Sequence, residues 1–199
     1  MSINKVAAII LAAGGSSRLG RPKQLLDWFG KPFVKQLVDI AHHMKLNPVV
    51  VVTGSSYEAI EKAVEEENII IARNEDWQKG QSSSMQVGCN ALQSKQTDAF
   101  IIFLCDQPQI SQELIEKMLL EAQREDIDIV ATSVNGKICP PTLFKMKCID
   151  GIMTLQGDQG GRALFNQYNT QELEWHDDRL LQDTDTEEDY IKLMSLFNK

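Results

Sequence analysis

The chain has 199 residues, 43% of them hydrophobic and 24% charged, which is typical of one globular domain with a substantial core. It carries 28 acidic and 20 basic residues, a formal net charge of −8, and no run of basic residues. This balance excludes a surface built to bind nucleic acid. The apolar runs are too short to span a membrane.

The cysteines and histidines do not form a recognisable metal or disulfide pattern. The four cysteines form no Cys-Xaa-Xaa-Cys pair, and the three histidines are scattered. Cys105 ends an apolar run and is expected in the core. Without a recognisable secretory signal, we expect reduced thiols and a cytoplasmic location.

Apolar strands alternate with amphipathic helices along most of the chain. The first apolar run, residues 6–13, leads into Gly14-Gly15-Ser16-Ser17. Further strands are predicted over residues 49–53, 69–72, 99–105 and 128–132, and helices after Lys31-Pro32, over 57–66 and 83–93, from Ser111 through 123, and over 187–197. This order predicts an α/β fold with three layers and a mostly parallel sheet. Residues 133–182 are less regular, and we expect them to cover one end of the sheet.

Three features follow predicted strands directly: the loop at Gly14, Gly54 and Asp106. Ligands of open α/β sheets bind beyond the carboxyl ends of the strands. The sequence therefore predicts that these features share one rim of the sheet.

The glycine loop, residues 11–23, combines backbone freedom with donors and cations. Glycines let backbone amides approach a phosphate, Ser16 and Ser17 add hydroxyls, and Arg18 and Lys23 add positive charge. Neither GxGxxG nor the P-loop pattern fits the spacing. The alternative is a tight turn with solvated charges. The concentration of donors and cations favours a phosphate-binding loop.

Acidic residues stand at two places that suit a metal. Asp106 follows the most apolar strand, and Mg²⁺ is held by one or two carboxylates together with substrate phosphates. A second carboxylate could come from the acidic stretch at residues 183–190, where the last helix begins. The alternatives are a polar turn before Ser111 and an acidic first turn that complements the helix dipole.

The loop sequence LAAGGSSRLGRPK resembles the signature of the MobA-like nucleotidyltransferases, which share a Rossmann-like nucleotide-diphospho-sugar transferase fold. The Ala12-Ala13-Gly14 form is similar to that of the molybdenum cofactor cytidylyltransferases, which use CTP instead of GTP. Asp106-Gln107-Pro108 resembles the metal motif of the family, and residues 183–189 its second acidic motif. The resemblance implies triphosphate binding by Leu11, Ala12, Ala13, Gly14, Gly15, Ser16, Ser17, Arg18 and Lys23, and a metal held by Asp106 and Asp185.

Two further stretches resemble family motifs. Residues 74–77 and 80–85 are similar to the segment around the nucleobase and ribose, which implies contacts from Asn74, Gly80, Ser83 and Ser84. The alternative is that one of Ser82 to Ser84 caps the following helix.

Residues 157–162 are similar to the acceptor motif, which implies that Asp158 and Arg162 bind the acceptor, with Asp158 as the alternative second metal ligand. The alternative is a glycine-rich turn with a local Asp–Arg pair. Cys139-Pro140-Pro141 lacks the glycine that the family usually has there, which concerns the acceptor side only.

The resemblance implies one nucleotidyltransferase domain over residues 1–199, with a nucleotide part up to about residue 110 and an acceptor part after it. The implied reaction is Mg²⁺-dependent transfer of CMP from CTP to the terminal phosphate of molybdopterin, with Arg18, Lys23 and Asp106 as catalytic residues. A recipient molybdoenzyme or its chaperone is the implied protein partner. The alternatives are transfer to a sugar or polyol phosphate, and a non-catalytic module that delivers a nucleotide or cofactor.

Overall fold

The structure, a computed structural model, describes residues 3–65, 67–93 and 95–198. Its strands are β1 (Val6–Ala12), β2 (Val49–Thr53), β3 (Ile70–Arg73), β4 (Ala99–Leu104), β5 (Ile129–Val134), β6 (Lys137–Lys145) and β7 (Thr170–Glu174). Its α-helices are α1 (Phe33–His43), α2 (Tyr57–Ala63), α3 (Gln81–Leu92), α4 (Gln112–Glu121), α5 (Ile149–Met153) and α6 (Glu187–Phe197).

The strands form one sheet in the order β3-β2-β1-β4-β6-β5-β7. The first four of these pair in parallel, as does β7 with β5. Successive residues of β1 face opposite layers: Ile10 packs in the cluster with α1, and Ile9 in the cluster with α3. Because both faces are covered, the strand is apolar throughout. The predicted α/β fold with a mostly parallel, three-layer sheet is confirmed.

The expectation that residues 133–182 are less regular and cover one end of the sheet is wrong, because they supply strands of the sheet itself. They contain β6, α5 and β7, and β6 lies antiparallel between β4 and β5. A local signal for the β5–β6 hairpin exists, since Asn135 and Gly136 both adopt positive φ, 51° and 72°. The prolines in β6 break the apolar pattern, so the strand is recognisable mainly from its pairing with its neighbours.

Helix boundaries follow the expectations with small shifts. Ser111 caps α4, where its Oγ accepts from the amide of Leu114 at 3.2 Å, but the helix ends at Glu121 and not at residue 123. The last helix has a capping box between Thr186 and Asp189. Within the described ranges no helix is both long and apolar enough to cross a membrane.

Candidate functional site

A cleft of about 380 Å³ lies at the carboxyl ends of β1 and β4. Its walls include Gly14 and Gly15 of the glycine loop, Asp106 after β4, and Gly80 at the start of α3. Gly54 supports this rim from behind, because a side chain there would meet the carbonyl oxygen of Ala13 at 2.7 Å. The predicted common rim therefore exists, with Gly54 as a packing position.

A larger hollow of about 700 Å³ lies at the opposite edge, where the same strands begin. Its charged side chains are the exposed Lys5, Lys45 and Lys95. It contains none of the predicted site residues, and the loops that follow the strands do not reach it. The cleft at the carboxyl ends is the better candidate because loops, cations and carboxylates converge there.

The glycine loop is held in shape by its own side chains. Ser16 adopts a left-handed φ of 49°, and its Oγ accepts from the amide of Lys23 at 3.0 Å. The buried Gln24 donates from Nε2 to the carbonyl oxygens of Ala12 and Gly14, at 3.0 and 2.9 Å. Gln24 was not predicted from the sequence, although it directly follows the motif. The side-chain amide of Gln24 closes the loop, and Gly15 lines the cleft.

The predicted cations and carboxylates come together beside this loop. Lys23 Nζ lies 2.7 Å from Asp106 Oδ2 and 3.1 Å from Asp185 Oδ1. Arg18 Nη2 lies 2.7 Å from Asp185 Oδ2, although its side chain is mostly exposed. Burial lowers the pKa of Lys23, but the negative charges of Asp106 and Asp185, and the hydrogen bonds that Lys23 donates to them, more than offset this, so its pKa is raised. Lys23 therefore carries a positive charge at neutral pH.

The other predicted nucleotide residues of the loop differ in position. Leu11 and Ala13 line the cleft, whereas Ala12 contributes its carbonyl to Gln24, and Ser17 is exposed outside the cleft wall.

The predicted nucleobase segment is largely occupied with its own hydrogen bonds. The buried Asn74 donates from Nδ2 to the hydroxyls of Ser83 and Ser84, both at 2.9 Å. Of these three residues only Ser84 lines the cleft, together with Gly80. The alternative, in which one of Ser82 to Ser84 caps α3, is wrong, because Gly80 is the N-cap and the helix begins at Gln81.

Two carboxamides that were not predicted line the same cleft. Gln78 and the half-buried Gln81 border it, and neither side chain has a hydrogen-bond partner within the described ranges. Trp77 lies beside them, with its ring about 2.9 Å from where a side chain on Gly15 would start. An aromatic ring with free carboxamides nearby can receive a flat heterocycle.

The acceptor motif is close to the cleft, but only one of its two predicted side chains faces it. Asp158 lines the cleft, whereas Arg162 is exposed and lies outside it. No ion pair joins Asp158 and Arg162 among the residues described, so the local pair considered above does not form. Instead the carbonyl of Gly157 accepts from the amide and hydroxyl of Ser82, which ties the motif to α3.

Comparisons with known proteins agree with this architecture. The MobA-like NTP transferase domain matches residues 8–173. Purine catabolism protein PucB of Bacillus subtilis (strain 168) is 28% identical over 192 residues, 92% of each chain. A probable molybdenum cofactor guanylyltransferase of Bacillus mycoides (strain KBAB4) is 30% identical over 138 residues, 69% of this chain and 66% of the relative.

Among solved structures, Rv0371c from Mycobacterium tuberculosis H37Rv superposes with a TM-score of 0.86 at 23% identity, covering 98% of this chain and 100% of that one. This likeness shows the shared fold. With a family match over most of its length, a glycine loop at the end of β1 and a carboxylate after β4, the chain belongs to the MobA-like NTP transferase family.

Proposed function

We propose that the protein is a Mg²⁺-dependent cytidylyltransferase that transfers CMP from CTP to the terminal phosphate of molybdopterin. The observation that carries this proposal is the ion network beside the glycine loop, where Lys23 bridges Asp106 and Asp185. Lys23 and Asp106 line the cleft, and Asp185 and Arg18 lie beside it, joined to them by ion pairs. The network therefore combines cations suited to a triphosphate with carboxylates suited to a hard metal ion.

The carboxylates fit a divalent cation. Asp106 Oδ1 is buried without a hydrogen-bond partner among the described residues, and Asp185 lies across Lys23 from it. No group of three or more His, Cys, Asp or Glu suited to a metal occurs in the described ranges. A pair of carboxylates suits Mg²⁺, which takes its other ligands from phosphates and water. When bound there, Mg²⁺ would neutralise charge on the phosphates of the nucleotide.

The same network implies that Lys23 and Arg18 pair first with the carboxylates and then, when the nucleotide binds, with its phosphates. In the structure they neutralise Asp106 and Asp185. To bind a triphosphate, both cations must turn from the carboxylates towards the phosphate oxygens. The carboxylates then need another cation, because uncompensated charges in a partly buried site are costly. Binding of metal and nucleotide is therefore expected to be cooperative.

The chemical step follows from this arrangement. An oxygen of the acceptor phosphate attacks the α-phosphorus and forms a new P–O bond. The bond from that phosphorus to the bridging oxygen breaks, and its electron pair leaves with pyrophosphate. Lys23, Arg18 and the loop amides stabilise the charge on the phosphates.

The base preference rests on the Ala12-Ala13-Gly14 form of the loop. Guanylyl transfer is the second candidate, because the Bacillus mycoides relative is named as a guanylyltransferase. The same name supports molybdopterin as acceptor. Cys139-Pro140-Pro141 lacks the glycine that the family usually has on the acceptor side, so sugar or polyol phosphates remain the alternative acceptors.

The test is a competition between CTP and GTP at equal concentration, with molybdopterin or a simple sugar phosphate as acceptor and Mg²⁺ present. We expect pyrophosphate release that needs both molybdopterin and Mg²⁺, and a product containing cytosine. Preferential use of GTP would replace the cytidylyl assignment with guanylyl transfer. Binding of nucleotide without any pyrophosphate release would indicate the delivery module instead.

A further inference from the structure

Among the described residues, none pairs as a strand with the stretch of chain that carries Asp185. It follows a short 3₁₀ turn, Asp178–Leu181, and precedes the N-cap of α6, Thr186. Asp106, by contrast, lies two residues after the end of β4, at the centre of the sheet. Something other than backbone pairing must therefore fix the distance between these two carboxylates.

Two carboxamides connect the segments that carry them. Gln107, which is 1% exposed, donates from Nε2 to Asp183 Oδ1 at 2.9 Å and to the carbonyl of Leu180 at 3.2 Å. Gln109 donates from Nε2 to the carbonyls of Gln182 and Arg179, at 2.8 and 3.3 Å. Both side chains start from the turn after β4. Together they fasten residues 179–183 to the chain that holds Asp106.

We propose that Gln107 and Gln109 are positioning residues that set the separation of Asp106 and Asp185, and through it the metal affinity of the site. This inference rests on the proposed function, in which those two carboxylates hold Mg²⁺. Neither glutamine is assigned a contact with metal or substrate. Each acts through the segment that leads to Asp185.

The hydrogen-bond pattern suits this role better than a purely packing role. Each glutamine uses its amide nitrogen on two acceptors, while the Oε1 atoms of Gln107 and Gln109 are buried without a partner within the described residues. An unsatisfied buried acceptor is destabilising, so an apolar side chain of the same size would serve packing alone as well or better. What the carboxamide adds is a set of directional hydrogen bonds that fix one segment relative to the other.

The test replaces each glutamine with methionine, which keeps the length of the side chain and removes both donors. The matched control is Gln123→Met. Gln123 also joins distant segments, donating to the carbonyl of Ile3 at 2.8 Å and accepting from its amide at 3.0 Å, outside the cleft lining. Mn²⁺ dissociation constants are measured by electron paramagnetic resonance in the presence of CTP. CTP affinity in EDTA and thermal melts are measured in parallel.

We expect Gln107→Met and Gln109→Met to raise the Mn²⁺ dissociation constant by ~10-fold or more, because loss of the hydrogen bonds that orient metal ligands generally lowers metal affinity by that factor. CTP affinity in EDTA should stay near that of the wild type, and Gln123→Met should leave Mn²⁺ binding unchanged. Wild-type Mn²⁺ affinity in both variants would overturn the inference, as would an equal loss in Gln123→Met. If Gln107→Met does not fold, the less buried Gln109→Met decides alone. Failure of the wild type to bind Mn²⁺ with CTP would instead overturn the metal assignment itself.

Discussion

The two halves of the candidate site, the glycine loop and the carboxylate pair, are built in different ways. The glycine loop is a single stretch of chain, residues 11–23, closed by hydrogen bonds that the next residue, Gln24, donates to the carbonyls of Ala12 and Gly14. The carboxylate pair comes from the end of β4 and from the segment before α6. Lys23 is 83 positions from Asp106 and 162 from Asp185 in sequence, yet it touches both.

Because of this difference, we expect the two halves to respond differently to mutation. The shape of the loop depends on local contacts, so a change in Lys23 or Arg18 alters charge more than geometry. The carboxylate pair depends on how two distant segments are held, so its geometry responds to residues such as Gln107. If Lys23 and Arg18 change partners from the carboxylates to the phosphates when metal and nucleotide bind, substitutions in the two halves should affect the two ligands differently.

The largest effect is expected for Asp106→Asn, which keeps the shape and removes one of the two charges that Lys23 neutralises. Turnover should fall at least ~100-fold, since metal-stabilised charge is typically worth several kcal/mol. Affinity for CTP in EDTA should rise on the order of fivefold, because one repelling charge is gone and Lys23 is freed. Turnover against Mg²⁺ concentration and calorimetric titration in EDTA measure these effects.

Asp185→Asn is the internal comparison for that variant and should lose less activity, because the side chain of Asp185 is 36% exposed against 15% for Asp106, so water compensates better for the lost charge. Thermal melts verify folding of both variants. If Asp106→Asn stays active at ordinary Mg²⁺ concentrations, the metal is held elsewhere and Asp158 becomes the next candidate.

A smaller loss is expected for Lys23→Ala. Catalytic efficiency should fall by ~10–100-fold, the range of a lost hydrogen bond to a charged group. Binding of Mn²⁺ without nucleotide should become tighter, because the ammonium that competes for Asp106 is removed. Arg21→Ala is the matched control, since Arg21 pairs with the exposed Glu187 at 2.8 Å, outside the network. Near-normal efficiency of Lys23→Ala, or an equal loss in Arg21→Ala, would contradict the assigned role.

The smallest effect is expected for Gln81→Ala, which tests the nucleobase end of the cleft. A neutral hydrogen bond contributes about 0.5–1.5 kcal/mol, so KM for CTP should rise ~2–10-fold with little change in kcat. Steady-state kinetics with CTP and with the acceptor varied in turn distinguish the two substrates. An effect confined to KM for the acceptor would place Gln81 on the acceptor side instead.

The sequence by itself determined the parts of the protein that depend on local chemistry. Continuous apolar runs predicted β1, β2 and β4, because strands covered on both faces need apolar residues throughout. The glycine loop and Asp106 could be singled out because each directly follows a predicted strand, where ligands of open α/β sheets bind, and Lys23 because it ends that loop. The division of the chain near residue 110 stays a prediction, and Asp185, from the later part, completes the ion network.

Only the tertiary structure decided which distant residues meet. Strand β6 was missed because prolines interrupt its pattern, and its place between β4 and β5 depends on pairing with both. Asn74 donates to the hydroxyl of Ser83 at 2.9 Å, a pairing of polar side chains that the sequence did not predict, and their contacts with a nucleobase stay a prediction. The roles of Gln24, Gln81 and Gln107 depend on burial and on neighbours far along the chain, which no local pattern records.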